Sequence, residues 1–383
     1  MLSESEFFVA AKRGDTKAVI NAIARAPSLI HAKDAPPNNW TALHIFARQS
    51  QSLGVQQLLS LGADPEARDG AFRSALHLAA MADASPVMDA SSAATTAADA
   101  AGASSSSAAS GANPKQPPTR SQMMLATLRA LLKKGARVTA RDNFGMTALH
   151  HAARAGHADA CLFLLSLNTE MRLPRAPIEA ETNAEERPLH LAAAGGHADT
   201  VRTLLKQGAH PGRTNYLGQT ALHLGVSGGD TPEALATVAE LVKPEWRIDL
   251  SAGQSDGATP LHLAARGGHN KMVGQLLHAR NVRRTSGGRS VELEPKDKKG
   301  RTPADLARAE SFDDITALLE EAIRAAAERK ARAPEEEDRL LRQAFAETRL
   351  ESARRPSAGR ELQSSGPTSM EEVLPVDEED LGD

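Results

Sequence analysis

Cysteine is almost missing from this chain: Cys161 stands alone among 383 residues. One thiol excludes an intrachain disulfide framework and any all-cysteine metal site, so a reducing interior is expected, cytoplasmic and open to the nucleus. Aromatic residues are scarce too, at 3%, which disfavours one large aromatic-filled core and suits small interlocking helices. No apolar run approaches the roughly 20 residues needed to span a bilayer. Met1 to Ala10 carries Glu4 and Glu6 where a secretory leader carries positive charge, so a soluble, untargeted chain is expected. An excess of charge of one sign is also lacking. With 45 basic and 48 acidic residues and a net charge of -3, nothing draws the chain to nucleic acid or to an anionic membrane.

Catalytic and cofactor signatures are equally thin. No His-Glu-x-x-His pattern, phosphate-cradling Gly-x-x-x-x-Gly-Lys-Ser/Thr loop or strand-linked Gly-x-Gly-x-x-Gly occurs, and no enzyme activity, metal or cofactor is expected. His150-His151 near Cys161 would make a nucleophile with its base. Cys161, however, lies among Leu162, Leu164 and Leu165, where a small buried thiol is the ordinary reading.

What the chain has is repetition. Thr41-Ala-Leu-His44, Ser74-Ala-Leu-His77, Thr147-Ala-Leu-His150, Arg187-Pro-Leu-His190, Thr220-Ala-Leu-His223 and Thr259-Pro-Leu-His262 recur, with Thr302-Pro-Ala-Asp305 as a degenerate seventh. Their starts are 33, 73, 40, 33, 39 and 43 residues apart, a 33-residue period interrupted by insertions. Each start runs into an Ala-rich turn, as in Ala152-Ala153-Arg154-Ala155-Gly156-His157. A second apolar helix then closes on Gly-Ala, as in Leu204-Leu205-Lys206-Gln207-Gly208-Ala209, glycine supplying the left-handed stop. Six of the 13 histidines occupy the repeat's histidine position and His157, His197 and His269 follow the turn glycine, so they are read as structure and not as ligands.

These pieces, in this order and at this period, closely resemble the ankyrin-repeat family. The resemblance implies an all-α solenoid of helix-turn-helix units with hairpin-like loops over residues 4–322. That makes eight units, counting a first one in which Ala10-Ala11-Lys12-Arg13-Gly14 matches the turn and Ser5 takes the threonine position. The threonine is expected to cap the first helix by accepting a backbone N–H, and the histidine to tie neighbouring turns together.

Several segments depart from the pattern. Ala84 to Thr119, rich in Ser, Ala, Thr, Gly and Pro, splits the third unit and is expected to be a disordered loop, which loop-closure entropy makes inexpensive. Unit five has Glu185 where its neighbours have Gly145 and Gly218, and Arg187 in place of the capping threonine, which puts its loop geometry in question. Residues 323–352 are read as a capping extension followed by an amphipathic helix that either docks or floats free. Residues 353–383 are read as a disordered acidic tail.

Binding is where the surplus residues point. The hairpin tips and inner helices of such arrays form a concave surface whose side chains do not hold the stack together, and the tips here carry Trp40, Phe72, Arg73, Phe144, Met146, Tyr216 and Leu217. Aromatics and arginine on an exposed ridge anchor interfaces, although Trp40, Phe144 and Tyr216 would alternatively cover neighbouring fingers. The last finger adds Lys298, Lys299 and Arg301, a solvated turn or a receptor for an acidic partner. Arg283-Arg284-Thr285-Ser286 and Arg354-Arg355-Pro356-Ser357 place Ser286 and Ser357 behind arginine pairs, as basophilic kinase sites do. The expected function is a scaffold or adaptor that binds a protein on the concave face. The alternatives are a nuclear regulator similar in layout to inhibitors of NF-kappa-B, and a substrate receptor of a ubiquitin ligase.

Overall fold

The computed structural model describes residues 3–82, 118–167, 174–285, 293–329 and 331–332. Two compact units divide the chain, Met1–Arg324 and Ala325–Asp383. The first unit is a stack of antiparallel helix pairs with no strand among the described residues. The second is described only at 325–329 and 331–332, all helical. The expected helix at 335–352 and the acidic tail fall outside the described residues. So do Ser286 and Ser357, and so does the insert at 83–117.

The pairs are α1 (Glu4–Arg13) with α2 (Thr16–Arg25), α3 (Ala42–Arg48) with α4 (Ser52–Ser60), and α5 (Ala75–Ala80) with α6 (Arg120–Lys133). They continue as α7 (Ala148–Arg154) with α8 (Ala158–Leu165), α9 (Pro188–Ala194) with α10 (Ala198–Lys206), and α11 (Ala221–Ser227) with α12 (Pro232–Leu241). Then come α13 (Pro260–Arg266) with α14 (Asn270–Thr285), and α15 (Pro303–Ala309) with a last helix that starts at 313. Inner helices touch inner helices and outer touch outer along the whole stack.

A seven-residue helix cannot persist in water alone; stacking is what sustains it. Inner helices bury a leucine and small residues, as Leu149, Ala152 and Ala153 show, and alanine's small side chain lets successive layers close up. The outer helices contribute Leu58, Leu131, Leu164 and Leu204, all buried. Stability is therefore a sum over layer interfaces. At the far end Ile315 and Leu319 are buried while Asp313, Asp314 and Glu320 face outward, the polar finish an array end requires.

Two helix starts differ from expectation. In α1 the cap is Ser3, whose hydroxyl takes the Glu6 N–H while the Glu6 carboxylate takes the Ser3 N–H at 2.7 Å. Ser5 lies inside the helix, because this serine–glutamate box starts the helix two residues earlier. In the third unit Thr119, expected within the insert, instead caps α6, with Gln122 closing the box. Pro118 and Thr119 thus belong to the ordered stem. On the other side of the insert His157 Nε2 bonds the Ala82 carbonyl at 3.2 Å.

The hairpin of unit five has the same geometry as its neighbours despite lacking glycine. Glu185 adopts φ 56°, matching Gly145 at 74° and Gly218 at 73°. A side chain in the left-handed region costs about 1–2 kcal/mol. Glu185→Gly should therefore stabilise the chain by about 1 kcal/mol, read as a higher urea midpoint with an unchanged m-value.

Candidate interaction surface

Five hairpins are built from one polar residue five positions before the helix cap. Asp69 Oδ1 accepts the N–H groups of Ala71 and Arg73 at 2.9 and 2.8 Å, and Asp142 Oδ1 those of Phe144 and Met146 at 2.9 and 2.8 Å. Asp297 does the same for Lys299 and Arg301. Asn215 serves Leu217 and Gln219, and the Thr182 hydroxyl serves Ala184 and Glu186. The anchor's own N–H bonds the carbonyl of the residue immediately before the cap, as Asp69 does to Arg73 and Asp142 to Met146. That bond closes the finger. The signal was readable in the sequence as Asp, Asp, Thr, Asn and Asp at positions 69, 142, 182, 215 and 297, and the reading above missed it.

Fingers are then joined to one another through their tips. Backbone bonds run from Gly70 to Asn38, Asn143 to Ala71, Asn183 to Phe144, Tyr216 to Ala184, Ser255 to Leu217 and Lys298 to Asp256. A second set of ties lies beneath them. In each of six units the histidine Nδ1 accepts the backbone N–H of the cap residue. An acceptor Nδ1 leaves the proton on Nε2, which donates to the next unit. His44 reaches the Arg73 carbonyl at 3.2 Å, His77 the Ala140 carbonyl at 3.0 Å and His190 the Arg213 carbonyl at 2.9 Å. His150 reaches Ala180, His223 reaches Ala258 and His262 reaches Arg301. The capping role of threonine differs from expectation in one respect: its hydroxyl donates to Nδ1 at 2.8–2.9 Å in units two, four, six and seven.

Burial holds these rings neutral. It depresses His77, His150 and His190 to about 4, and lowers His44, His223 and His262 as well.

On this rigid ladder the tip side chains divide into two groups. Phe144 is 66% exposed, Tyr216 61%, Phe72 59% and Leu217 43%; these project from the ridge. Lys298 and Lys299 are exposed as well. Phe72 also holds φ 59°, a backbone position where glycine would be unstrained. The other four expected contact residues stand immediately before their caps, where three of them bond an aspartate anchor and Arg301 nevertheless stays exposed. Met146 is 7% exposed. Arg73 Nε bonds Asp69 Oδ2 at 2.9 Å and Arg301 Nε bonds Asp297 Oδ2 at 2.9 Å. Trp40 is half-buried, its Nε1 on Asp69 Oδ2 at 3.1 Å and the Arg48 guanidinium over its ring. Met146 is therefore buried in the stack, and Arg73 is half-buried on its anchor.

The family model for ankyrin repeats in many copies matches residues 122–165 and 189–238, and the single ankyrin-repeat model matches 38–70 and 256–286. The chain carries ankyrin repeats at these positions. No curated protein matches it. As an ankyrin array it is a protein–protein interaction module in general terms, and its histidines belong to that framework. Cys161 is fully buried on α8, where desolvation pushes its thiol up to about 12, so it carries no thiolate at neutral pH. Among the described residues no group of three or more His, Cys, Asp or Glu is placed to hold a metal ion, and no helix is long and apolar enough to cross a membrane.

Proposed function

We propose that the chain is a scaffold or adaptor that holds a protein partner against its finger ridge and inner-helix face. The observation that carries this reading is the exposure of Phe72, Phe144, Tyr216 and Leu217 on fingers whose backbones are bonded to one another. Large apolar side chains on a pre-ordered support bind with little entropic cost. Of the eleven aromatics in the chain, three stand where they add nothing to the core. Phe72 does so at a strained φ, and strain of that kind persists where function requires it.

Phe144→Ala with Tyr216→Ala is expected to leave the circular dichroism spectrum and urea midpoint unchanged, since neither ring is buried. Affinity capture from cells of origin should lose its specific partner in this variant; each interface aromatic removed typically costs about 2 kcal/mol. A partner retained by the double variant would place recognition elsewhere on the chain.

A further inference from the structure

Seven residues after the caps of units two to seven stand Arg48, Met81, Arg154, Ala194, Ser227 and Arg266, three arginines and no acid, at the ends of the inner helices. Arg48 is occupied over Trp40. Arg154 and Arg266 are exposed and make no ion pair among those described. Between these two, Ala194 and Ser227 are small and exposed. Between the arginine row and the fingers lie Leu191 and Leu263, nearly buried, and Leu224, half-buried. The surface over units four to seven is thus a shallow trough. Tyr216 and Leu217 form one edge, aliphatic side chains the floor, and two free guanidinium groups the other edge.

Building on the concave-face reading above, we infer that the occupant of this trough is an acidic polypeptide segment with an apolar face. Its apolar side chains lie on the leucine floor against Tyr216, and its carboxylates meet Arg154 and Arg266. A neutral or basic occupant would desolvate the two guanidinium groups without a counter-charge, which is costly; carboxylates convert the same burial into charge-assisted bonds. The acids already nearby leave room for this. Glu186 feels Arg154 and Asp256 feels Arg266, but neither carboxylate makes an ion pair with its arginine among those described; Asp256 Oδ1 instead accepts the Ala258 N–H at 2.8 Å. A nucleic acid fits less well, because its phosphates gain nothing from an aliphatic floor. Arg154 and Arg266 are three layers apart, about 25–30 Å at the usual helix spacing. An extended segment of about nine residues covers that distance.

The test uses the full chain and a displayed library of random 16-residue peptides. The enriched sequences are then synthesised with a fluorophore and titrated by anisotropy. Enrichment of peptides with two or more acids flanking an apolar residue is expected, with affinity falling at least tenfold for Arg154→Glu/Arg266→Glu and also falling as salt is raised. Circular dichroism on this variant checks that it is folded. Enrichment of neutral or basic peptides, no enrichment over empty support, or equal binding to the charge-reversed variant would overturn the inference. So would displacement of the peptide by a 20-nucleotide oligothymidine, which would make the arginine row a phosphate reader. The two readings separate through Phe72→Ala/Phe144→Ala, which removes ridge aromatics and leaves Tyr216 in place. Peptides that respond to the arginines and not to this variant uphold the acidic segment and sink the finger ridge; the converse response upholds the ridge alone.

Discussion

Lowering the pH from 7 to about 4.5 is expected to unfold the array while most of its carboxylates are still ionised. Each framework histidine accepts at Nδ1 and donates at Nε2, so a second proton has no place to go without breaking the bond to the cap. Burial accordingly holds His77, His150 and His190 at about 4, whereas in the unfolded chain they titrate near 6.5. Between those values the unfolded state binds more protons than the folded one, so stability rises with pH; it is intact above about 6.5 and is lost as pH falls toward 4. Each ring contributes about 1.4 kcal/mol per pH unit in that window, and three together about 4 kcal/mol per unit. That sum over two units rivals the whole stability of an ordinary domain. Asp69 and Asp142 act lower on the scale. Burial, which opposes their ionisation, is outweighed by N–H and side-chain bonds, which hold both below the usual carboxylate range, so they cannot account for a loss above pH 4.5. Urea midpoints measured at half-unit intervals from pH 7.5 to 4.5 check this. A flat profile would mean that the rings are not locked in the Nε2–H form.

The period and the Thr-x-x-His starts made the architecture legible, since helix pairs that cannot bury their stripe alone admit few arrangements. The surface was legible only in part. Phe72, Phe144, Tyr216 and Leu217 lie two to four residues before their caps and project outward; one residue before their caps, Met146 is buried and Trp40 and Arg73 half-buried, while Arg301 bonds Asp297 and stays exposed. A tip read as a string of surplus residues hides that register, because the finger is closed by a bond between the fifth and first positions before the cap. Unit five shows the opposite failure. Glycine's absence suggested a different loop, yet Glu185 takes the same φ because the Thr182 hydroxyl and the backbone bonds from both neighbouring fingers dictate it. Ser5 matched the repeat but lost the cap to Ser3, whose Glu6 partner closes a better box.

Asp142→Ala should be the most damaging single change on the finger side, costing about 3–5 kcal/mol. This carboxylate is fully buried and serves three donors. One oxygen accepts the Phe144 and Met146 N–H groups, and the other bonds His151 Nε2 at 2.9 Å. His151 takes the inner-helix position that holds Leu78, Leu191 and Leu263 in other units, and packs edge-on against His77 with ring centroids 5.6 Å apart. Asp142 thereby couples the finger that carries Phe144 to the interface between the third and fourth units, and removing it orphans two buried amides and a ring N–H together. Asp142→Asn separates the contributions, because Asn215 shows that an amide oxygen can anchor a finger. The asparagine variant should keep protection of the Phe144 and Met146 amides against hydrogen exchange and lose only about 1–2 kcal/mol, the worth of a charged bond to His151. Alanine should abolish that protection and weaken binding through Phe144 even under conditions where the array stays folded. If asparagine proves as harmful as alanine, the carboxylate's bond to His151 outweighs its hold on the finger, and the fourth finger's order comes from the inner helix rather than from its own anchor.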